Sequence, residues 1–325
     1  MLVLPALSVL LLMWPLACLL RVGPDLGDLP ASAVIAIAGA APLATVLAVP
    51  LITVAARRGN WLALPAAAIA AVLPWIFVAP YAAGDQPSTA GRTVALRVML
   101  VNAHQGRASA PDIVAAATAG TVDVLVITEL SGALAHELAV AGLDRVVSAG
   151  WVRLPGKDGV ADDPRAGMGL WTRPDVTLTN PREVTGTQWP AVAIGATKDS
   201  ATFTLISGHV ATPAPSGGRR WADDLTLLRE SAQRAEGARV LLANLNATSW
   251  HADFRRFAQA GIQDAADMLG QGPRPSWPTW SPLAVLPLDH AMVAGGVGVT
   301  SVETVVIGGS DHRALMAKLT LPTQG

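Results

Sequence analysis

Near the C-terminus the chain reads Gly309-Ser310-Asp311-His312-Arg313-Ala314-Leu315, and about 20 residues earlier it reads Leu288-Asp289-His290. An aspartate beside a histidine, with a second aspartate able to accept the other ring proton, is typical of sites that bind a divalent cation and a phosphate. Hydrolysis of a phosphate ester mostly requires neutralisation of charge and in-line positioning, and such a site supplies both. The two segments therefore predict metal-dependent phosphoester chemistry, provided that the other parts of the site are present.

Apolar residues are unevenly distributed along the 325-residue chain, of which 51% is hydrophobic. Three long apolar runs occupy Met1–Leu20, residues 31–56 and residues 61–83. At a rise of about 1.5 Å per residue, a run of about 20 residues can cross a hydrocarbon core of ~30 Å. We therefore predict a membrane anchor of three transmembrane helices over residues 1–83, in preference to a cleavable signal peptide or buried core helices.

Charged residues beside the apolar runs predict the orientation of this anchor. Arg57 and Arg58 lie in the second connection without an acidic residue, which places that connection in the cytoplasm. Asp25 and Asp28 in the first connection favour the outside, whereas Arg21 opposes that assignment. Three spans then predict a multi-pass protein of the plasma membrane whose C-terminal domain is extracytoplasmic.

Charge outside the predicted anchor is nearly balanced, with acidic residues slightly outnumbering basic ones. A domain without a basic excess lacks the electrostatic attraction on which binding of duplex nucleic acid depends. Duplex nucleic acid is therefore not expected as a ligand. Membrane tethering and balanced charge favour a small phosphoester or a phospholipid-type substrate, with the membrane and an envelope protein as candidate partners.

A polar linker over residues 84–93 precedes a domain that we predict to span residues 94–321. The predicted strands lie at residues 94–101, 122–127, 167–172, 191–196, 202–208, 240–245, 291–293, 302–306 and 315–319, and the predicted helices at 111–119, 221–235 and 252–260. Strands outnumber helices, and polar residues recur at strand ends. This pattern favours an α/β domain with two sheets packed face to face and helices outside.

Polar side chains suited to phosphoester chemistry end several of the predicted strands. They are Asn102, Glu129, His209, Asn244, Asn246, Asp289, Asp311 and His312. Their order and spacing resembles the endonuclease/exonuclease/phosphatase superfamily, which includes DNase I-like nucleases, inositol phosphatases and bacterial sphingomyelinases. The resemblance covers roughly residues 94–320, and the segments Phe254-Arg255-Arg256-Phe257 and Thr279-Trp280 are similar to bacterial membrane-anchored members. It implies a four-layered α/β sandwich of the DNase I-like kind.

The resemblance further implies one divalent cation, Mg²⁺ or Mn²⁺. Glu129 would be its principal ligand, with Asn102 and Asp311 completing or supporting the shell. Oxygen donors of this kind suit a hard cation. Each residue also has a structural interpretation, since Glu129 could be a solvated strand end and Asn102 a turn former.

The same resemblance implies how a phosphate would be held. His312 would contact the phosphate, oriented by Asp289, and His209 would donate to a phosphoryl oxygen. Asn246 would position the phosphate or the attacking water. Alternatively, His209 could be a core histidine and the Asp289–His312 pair could be only structural. The remaining histidines are interpreted as structural, namely His104, His136, His251 and His290.

One motif departs from the family pattern. The family has Gly-Asp-Phe-Asn where this chain has Ala243-Asn244-Leu245-Asn246. The missing aspartate is the group usually assigned to proton transfer, and an amide cannot take up a proton, although it can still orient a water. Loss of such a group typically removes about 10²–10⁴ in rate. Two hypotheses follow: a slow or specialised hydrolase, or a catalytically degenerate member that acts as an envelope scaffold or phosphate-ligand-binding subunit.

Overall fold

The first strand of the C-terminal domain shows how the sequence builds two separate cores. The strand Thr93–Asn102 directs Leu96, Val98 and Leu100 into the space between two sheets, and it directs Met99 and Val101 toward helices on the outer face. Successive side chains of a strand point to opposite faces, so a strand that is apolar on both faces must be covered on both. This strand therefore lies in the interior of a layered domain.

The computed structural model describes residues 3–20, 43–86, 91–213, 218–281 and 285–323. Its strands are β1 (Thr93–Asn102), β2 (Val124–Thr128), β3 (Ser148–Arg153), β4 (Met168–Thr172), β5 (Val176–Glu183), β6 (Ala191–Lys198), β7 (Ala201–His209), β8 (Ala238–Asn244), β9 (Gln263–Asp264), β10 (Asp289–Ala294), β11 (Gly298–Val306) and β12 (Arg313–Pro322). They form two six-stranded sheets, in the orders β11-β12-β1-β2-β4-β3 and β5-β6-β7-β8-β10-β9.

The helices divide between an N-terminal segment and the outer faces of the two sheets. They are α1 (Val3–Leu20), α2 (Leu43–Arg57), α3 (Leu64–Val72), α4 (Pro80–Ala83), α5 (Ala110–Ala119), α6 (Gly132–Val140), α7 (Gly218–Arg234), α8 (Ala252–Gln259) and α9 (Ala265–Leu269). Helices α5 and α6 cover the first sheet, and α7 and α8 cover the second. The resulting helix–sheet–sheet–helix order is the predicted α/β sandwich, and the two-sheet fold is confirmed.

Two parallel strand pairs place polar residues at one edge of the sandwich. In the first sheet β1 runs parallel to β2, with Asn102 opposite Thr128. In the second sheet β7 runs parallel to β8, with His209 opposite Asn244. Because parallel strands end at the same edge of a sheet, the residues that follow them become neighbours.

Serine caps begin the two helices that cover the first sheet. The Ser109 hydroxyl accepts a hydrogen bond from the backbone N–H of Asp112 at the start of α5, and the Ser131 hydroxyl accepts one from the N–H of Leu134 in α6. An N-terminal cap satisfies a backbone donor that the helix itself leaves unpaired, and it typically contributes ~1 kcal/mol. The caps fix where the loops that follow β1 and β2 turn back into helix.

Each predicted strand and helix of the domain overlaps an observed one. The sequence reasoning missed β3, β5, β9, α6 and α9. Strands β3 and β5 lie at sheet edges, and most of their residues are at least partly exposed. An exposed edge strand needs no alternation of apolar and polar residues, so its sequence carries no period-2 pattern.

The three predicted membrane spans are not supported. Helix α1 has 18 residues and α2 has 15, with Pro50 inside it. The third predicted span is divided into α3, a 3₁₀-helix over Leu73–Phe77, and α4. Residues 31–42 of the second predicted span lie outside the described residues. Within the described ranges, no helix combines the length and the apolar character needed to cross a membrane. Pro74 and Pro80 account for the division of the third predicted span, because proline fixes φ and removes a backbone donor.

In the N-terminal helices α1, α2 and α3, small residues are buried and many large apolar residues are exposed. Among the residues of α1, α2 and α3 whose burial is described, the buried ones are Ser8, Ala44, Ala48, Ala55, Ala67 and Ala70. The exposed ones include Val3, Leu7, Val9, Leu10, Met13, Leu43, Val46, Leu47, Val49, Val54, Ile69 and Val72. This distribution is the reverse of that in a protein core, where large apolar side chains are buried.

Residues between α3 and the first strand pack against the C-terminal domain. Trp250 donates its indole N–H to the carbonyl oxygen of Pro74 at 3.0 Å, and the Arg255 guanidinium lies 4.3 Å from the ring centroid of Phe77. The Tyr81 side chain is 3% exposed and belongs to the core between the two sheets. The part of the chain that enters the predicted linker is therefore bound to the domain.

Candidate active site

Glu129 is the first residue after β2, and its carboxylate is held at the sheet edge by two donors. Its Oε1 accepts a hydrogen bond from Nδ2 of Asn102 at 3.1 Å, and its Oε2 accepts one from the backbone N–H of Gln105 at 2.8 Å. Asn102 in turn accepts the backbone N–H of His104 at 2.8 Å. The side chains that end β1 and β2 thus form one hydrogen-bonded group, as their parallel pairing requires.

Several residues of this group have a strained backbone. His104, Gln105, Glu129 and Asn246 adopt φ between 47° and 58°, a left-handed conformation that side chains other than glycine rarely adopt. Such conformations cost on the order of 1–3 kcal/mol each and persist where the surrounding structure imposes them. Four other described residues with positive φ, namely Thr121, Asp158, Asn180 and Asp199, lie elsewhere, so the strain accompanies the site and does not by itself locate it.

Ser310 connects the C-terminal segment to the end of β1. Its hydroxyl donates to the carbonyl oxygen of Asn102 at 2.7 Å and accepts the backbone N–H of His312 at 3.0 Å. Asp311 is partly exposed, and its Oδ2 accepts the indole N–H of Trp277 at 3.3 Å. The Ser-Asp-His segment is therefore fixed beside Asn102 and Glu129.

His312 and Asp289 form a short buried pair. Nδ1 of His312 lies 2.6 Å from Oδ2 of Asp289, and both residues are less than 10% exposed. Burial alone would lower the pKa of His312, but the charge and the hydrogen bond of Asp289 outweigh it and raise that pKa. Burial would likewise raise the pKa of Asp289, yet the His312 interaction holds it below its ordinary value. The pair therefore favours an oriented imidazolium on a carboxylate.

Ser276 holds the backbone that leads into this pair. Its fully buried hydroxyl accepts the N–H groups of Leu288 and Asp289, at 3.1 and 3.2 Å. Ser276 and Trp277 belong to a Pro- and Trp-rich loop over residues 273–281. Ser276 thus positions Asp289 from one side, and Trp277 contacts Asp311, so this one loop supports both aspartates.

Asn244, the residue that departs from the family pattern, is fully buried against the same pair. Its Nδ2 donates to Oδ1 of Asp289 at 2.9 Å and lies 3.3 Å from Nδ1 of His312. Its Oδ1 is buried, and no described residue donates to it. The amide therefore supplies Asp289 with a second donor, a contact that a carboxylate at this position could make only if it carried a proton.

His209, at the end of β7, connects the two sheets. Its Nδ1 lies 3.2 Å from the carbonyl oxygen of Arg165, and its Nε2 lies 3.6 Å from Oε1 of Glu129. Its ring stacks on Trp189, with centroids 6.5 Å apart, and the Arg165 guanidinium covers the same indole at 5.2 Å. Burial lowers the pKa of His209, and the nearby Glu129 charge only partly offsets this effect.

Asn246 lies close to the site in a constrained turn. Its Nδ2 donates to the carbonyl oxygen of Val210 at 2.8 Å, and its own carbonyl oxygen accepts the indole N–H of Trp221 at 3.1 Å. Both contacts are buried. The side-chain amide is thereby anchored to the residue that follows His209.

A divalent cation is compatible with this set of oxygen donors. Among the described residues, no group of three or more His, Cys, Asp or Glu side chains is arranged as a metal site. Mg²⁺, however, is usually held by one or two carboxylates and keeps several waters. Asn102 donates to Glu129, and Ser310 joins Asn102 to the backbone of His312 next to Asp311, so the two carboxylates lie at the same edge. Glu129 accepts two hydrogen bonds, whereas a carboxylate offers about four acceptor sites. The residues therefore fit a hard cation bound mainly through Glu129.

All eight predicted site residues lie at this edge, joined by the hydrogen bonds and charge interactions described above. Sequence reasoning missed Ser276, Ser310, Gln105 and the Arg165–Trp189 pair. Ser310 was visible inside the decisive motif, whereas an isolated serine such as Ser276 carries no pattern. His104 was interpreted as structural, but its Nδ1 lies 3.7 Å from Oδ1 of Asp311. It therefore belongs to the rim of the site.

Comparison with known proteins agrees with this geometry. A family model described as Endonuclease/Exonuclease/phosphatase family matches residues 99–312, which is more than half of the chain. The matched range begins in β1 and ends at His312, so it contains every candidate site residue. A search of curated proteins gave no significant match.

Solved structures share the fold at low sequence identity. Humanized D. rerio TDP2 aligns with a TM-score of 0.57 and 16% identity, over 69% of this chain and 98% of that one. A family protein from Bacteroides thetaiotaomicron gives 0.56 and 13%, over 71% and 99%. The human Nocturnin catalytic domain with bound sulfate gives 0.54 and 18%, over 71% and 97%. At these identities the likeness shows the fold alone.

Proposed function

The chain belongs to the endonuclease/exonuclease/phosphatase family, and from this premise we propose that it is a divalent-metal-dependent phosphoester hydrolase. One observation carries the proposal: Glu129, His209 and the Asp289–His312 pair, which are distant in sequence, meet at one edge of the sandwich. A carboxylate for a cation beside two histidines for a phosphate is the combination that phosphoester hydrolysis needs.

Glu129, with Asn102 and Asp311 beside it, would hold Mg²⁺ or Mn²⁺. The cation would supply neutralisation of phosphoryl charge and a template for the reacting oxygens. The hydrogen bonds from Asn102 and Gln105 fix the Glu129 carboxylate before any ligand arrives. Such preorganisation avoids the free-energy cost of reorienting the carboxylate during the reaction.

His312 would hold the phosphate from one side. His209 would face it from the other, but Nδ1 of His209 meets a carbonyl oxygen and carries the proton of the neutral ring, so its Nε2 would donate to the phosphate only when the ring takes up a second proton. Asp289 occupies Nδ1 of His312, and Nε2 of His312 has no hydrogen-bond partner among the described residues. A protonated Nε2 would donate to a phosphoryl oxygen, and the raised pKa of His312 keeps that proton in place. Asn246 would orient the phosphate or the attacking water, and Asn244 would brace Asp289.

The reaction would be slow or specialised because Asn244 replaces the usual proton-transfer aspartate. A leaving group that departs without protonation makes such a group unnecessary. The balanced charge of the domain favours a small phosphoester or a phospholipid-type substrate over duplex nucleic acid.

The hydrolase proposal is tested on the purified full chain with a nitrophenyl phosphodiester and Mn²⁺. Metal-stimulated turnover is expected, and Glu129→Ala should lower it at least about 100-fold because the principal ligand is lost. Glu137→Ala removes an exposed carboxylate from α6 and serves as the matched control. Absence of turnover in both the parent chain and Asn244→Asp would overturn the proposal.

A catalytically degenerate scaffold or phosphate-binding subunit is the second candidate, and Asn244 is the observation that favours it. Complementation in the native host separates a purely structural role from catalysis and from phosphate binding. The double variant Glu129→Ala/His312→Ala, expressed at the normal level, should restore function if the role is scaffolding. Failure to restore function excludes a purely structural role, including one with an envelope protein partner.

We also propose that α1, α2 and α3 contact lipid. Their large apolar side chains face outward and their small residues face one another, as expected for helices that associate in an apolar solvent. Their hydroxyl groups are satisfied internally, since Thr45 donates to the carbonyl oxygen of Ala71 and Ser8 to that of Leu4.

The extracytoplasmic location of the C-terminal domain stays a prediction based on Arg57 and Arg58, and a reporter fused after Gly325 tests it.

Lipid contact is tested by flotation of the full chain with phosphatidylglycerol-containing vesicles. The parent should float with the vesicles, and Leu10→Asp/Val46→Asp/Ile69→Asp should float less because each change puts a charge on an exposed apolar position. The control Val140→Asp/Val306→Asp changes two exposed valines of the C-terminal domain. A parent chain that stays in the aqueous fraction, or equal loss of flotation in both variants, would contradict the proposal.

A further inference from the structure

A second buried His–Asp pair lies directly behind the candidate site. Nδ1 of His290 lies 2.6 Å from Oδ2 of Asp264, and His290 is 2% exposed. Its Nε2 lies 2.9 Å from two backbone carbonyl oxygens, those of Ala247 and Pro287. Sequence analysis interprets this histidine only as structural.

The neighbours of this pair decide where its protons lie. Carbonyl oxygens only accept hydrogen bonds, so Nε2 of His290 must carry a proton. Asp264 is itself surrounded by donors: its Oδ1 accepts the backbone N–H of Ala266 at 2.8 Å, and its Oδ2 accepts the Tyr81 hydroxyl at 3.4 Å. The Asp264 carboxylate is the acceptor in both contacts, and it accepts from Nδ1 of His290 in the same way. His290 is therefore an imidazolium that donates at both nitrogens.

The two carbonyl groups that His290 holds belong to the two loops that carry the site. Ala247 directly follows Asn246, and Pro287 precedes Asp289 by two residues. A backbone hydrogen bond from the N–H of Leu245 to the carbonyl oxygen of Leu288, at 2.9 Å, joins the same loops. One side chain thus spans both segments at the point where they diverge into the site.

Tyr81 extends this link to the N-terminal segment. Its carbonyl oxygen accepts the N–H of Gly272, and its hydroxyl reaches Asp264. Close packing of backbone holds the segment in place, because a Cβ on Gly270 would lie 2.9 Å from the backbone nitrogen of Gly84. The end of the helical segment is therefore seated against the helix that follows Asp264.

We propose that His290 is a positioning residue that sets the relative placement of the Asn246 loop and the Asp289 loop, and that Tyr81 couples this placement to the N-terminal helices. The inference rests on the proposed function, since it concerns the same site. The titratable and charged groups beside the pair are Tyr81, Asp267 and Asp289, and Arg274 lines the small cavity next to it. The hydrogen bond and charge of Asp264 outweigh burial and raise the pKa of His290, in agreement with the contacts.

The test uses the full chain labelled with ¹⁵N-histidine, whose six histidines give few ring signals. His290 should show protons on both ring nitrogens at neutral pH. His290→Gln should shift the ring signal of His312 and lower turnover about 10- to 100-fold, as expected for a support that holds catalytic geometry. Val293→Ala removes buried volume from β10 without touching either loop, and it should change stability while leaving the His312 signal and turnover unaffected.

Three results would overturn the inference. They are a neutral His290 ring in the parent chain, a His312 signal and turnover in His290→Gln equal to those of Val293→Ala, and an unchanged His290 signal in Tyr81→Phe. Should His290→Gln fail to fold, Tyr81→Phe decides, because it removes only a hydroxyl. The ring signals do not depend on turnover, so a parent chain without hydrolase activity would remove the proposed function and leave this test intact.

Discussion

The two His–Asp pairs of this protein share their geometry and differ in one neighbour. In both, an imidazole Nδ1 lies 2.6 Å from a carboxylate oxygen in a buried setting. Asp289 and His290 are adjacent on β10, so their side chains point to opposite faces of the sheet. Nε2 of His290 is closed by two carbonyl oxygens, whereas that of His312 has no partner among the described residues. The second ring nitrogen therefore distinguishes a group available to a ligand from one that braces the backbone.

The largest expected effect is on turnover, and it concerns the Asp289–His312 pair. His312→Ala should lower phosphodiester turnover about 10³- to 10⁴-fold, because the oriented donor to the phosphate is lost. Initial rates with saturating Mn²⁺ measure this effect. A rate within tenfold of the parent would show that His312 does not contact the reacting phosphate.

The second effect separates the pairs by stability. Asp264→Ala leaves the His290 imidazolium buried without its counter-charge, and loss of one partner of a buried pair typically costs about 3–5 kcal/mol. Urea unfolding monitored by tryptophan fluorescence gives the change in the free energy of unfolding. Asp253→Ala, which removes a more exposed ion pair with Arg256, should cost under about 1 kcal/mol. Equal losses in the two variants would contradict the buried brace.

Asn244→Asp tests the shared surroundings of Asp289. The substitution places a second carboxylate beside Asp289 at the 2.9 Å contact, and two such groups raise the pKa of one of them. A carboxyl group whose pKa is raised in the folded state is protonated in both states below its unfolded pKa of about 4, and it destabilises the folded state as pH rises above that value. The variant should therefore match the parent at pH 4 and be about 1–3 kcal/mol less stable at pH 8. Unfolding at both pH values measures the difference. A penalty that does not depend on pH would contradict the mechanism.

The smallest expected effect is on stability and concerns Asp267, which lies near Asp264 of the second pair. Burial, together with the charges of Asp264 and Asp85, raises the pKa of Asp267 to about 6. Its charged form therefore opposes folding as pH rises through that value. Asp267→Asn should add about 1 kcal/mol of stability at pH 8 and little at pH 4, a figure reduced for partial exposure. Melting temperatures at the two pH values test it, and no gain at pH 8 would show that the three carboxylates do not interact.

The strand-end residues of the site could be predicted from the sequence, because an apolar run that ends in a polar residue marks the end of a strand. Apolar runs ending in Asn102, Glu129 and His209 locate an edge, and parallel pairing brings that edge together. The contact between Tyr81 and Asp264 joins residues 183 positions apart and leaves no local signal. The role of His290 likewise depends on where two backbone carbonyl groups point, which no side-chain pattern records.

In the N-terminal segment the prediction is wrong although the sequence contains a local signal, the prolines inside the apolar runs. Hydropathy predicted three spans, although Pro50, Pro74 and Pro80 interrupt the same runs. Proline ends or kinks a helix, and the 3₁₀-helix around Pro74 fits that rule. Composition indicates the apolar character of the segment, whereas the division of the third predicted span depends on Pro74 and Pro80.

The pairing of β1 with β12 has a consequence for biosynthesis. These strands align from Thr93 opposite Pro322 to Leu100 opposite Leu315, so a central neighbour of β1 in the first sheet is synthesised more than 200 residues after β1 itself. His312 directly precedes β12. A nascent chain can fold its helices early, but β1 lacks its antiparallel neighbour, and the candidate site lacks His312, until β12 has been made. A chain that stops before residue 312 would therefore lose both the pairing and the Asp289–His312 contact.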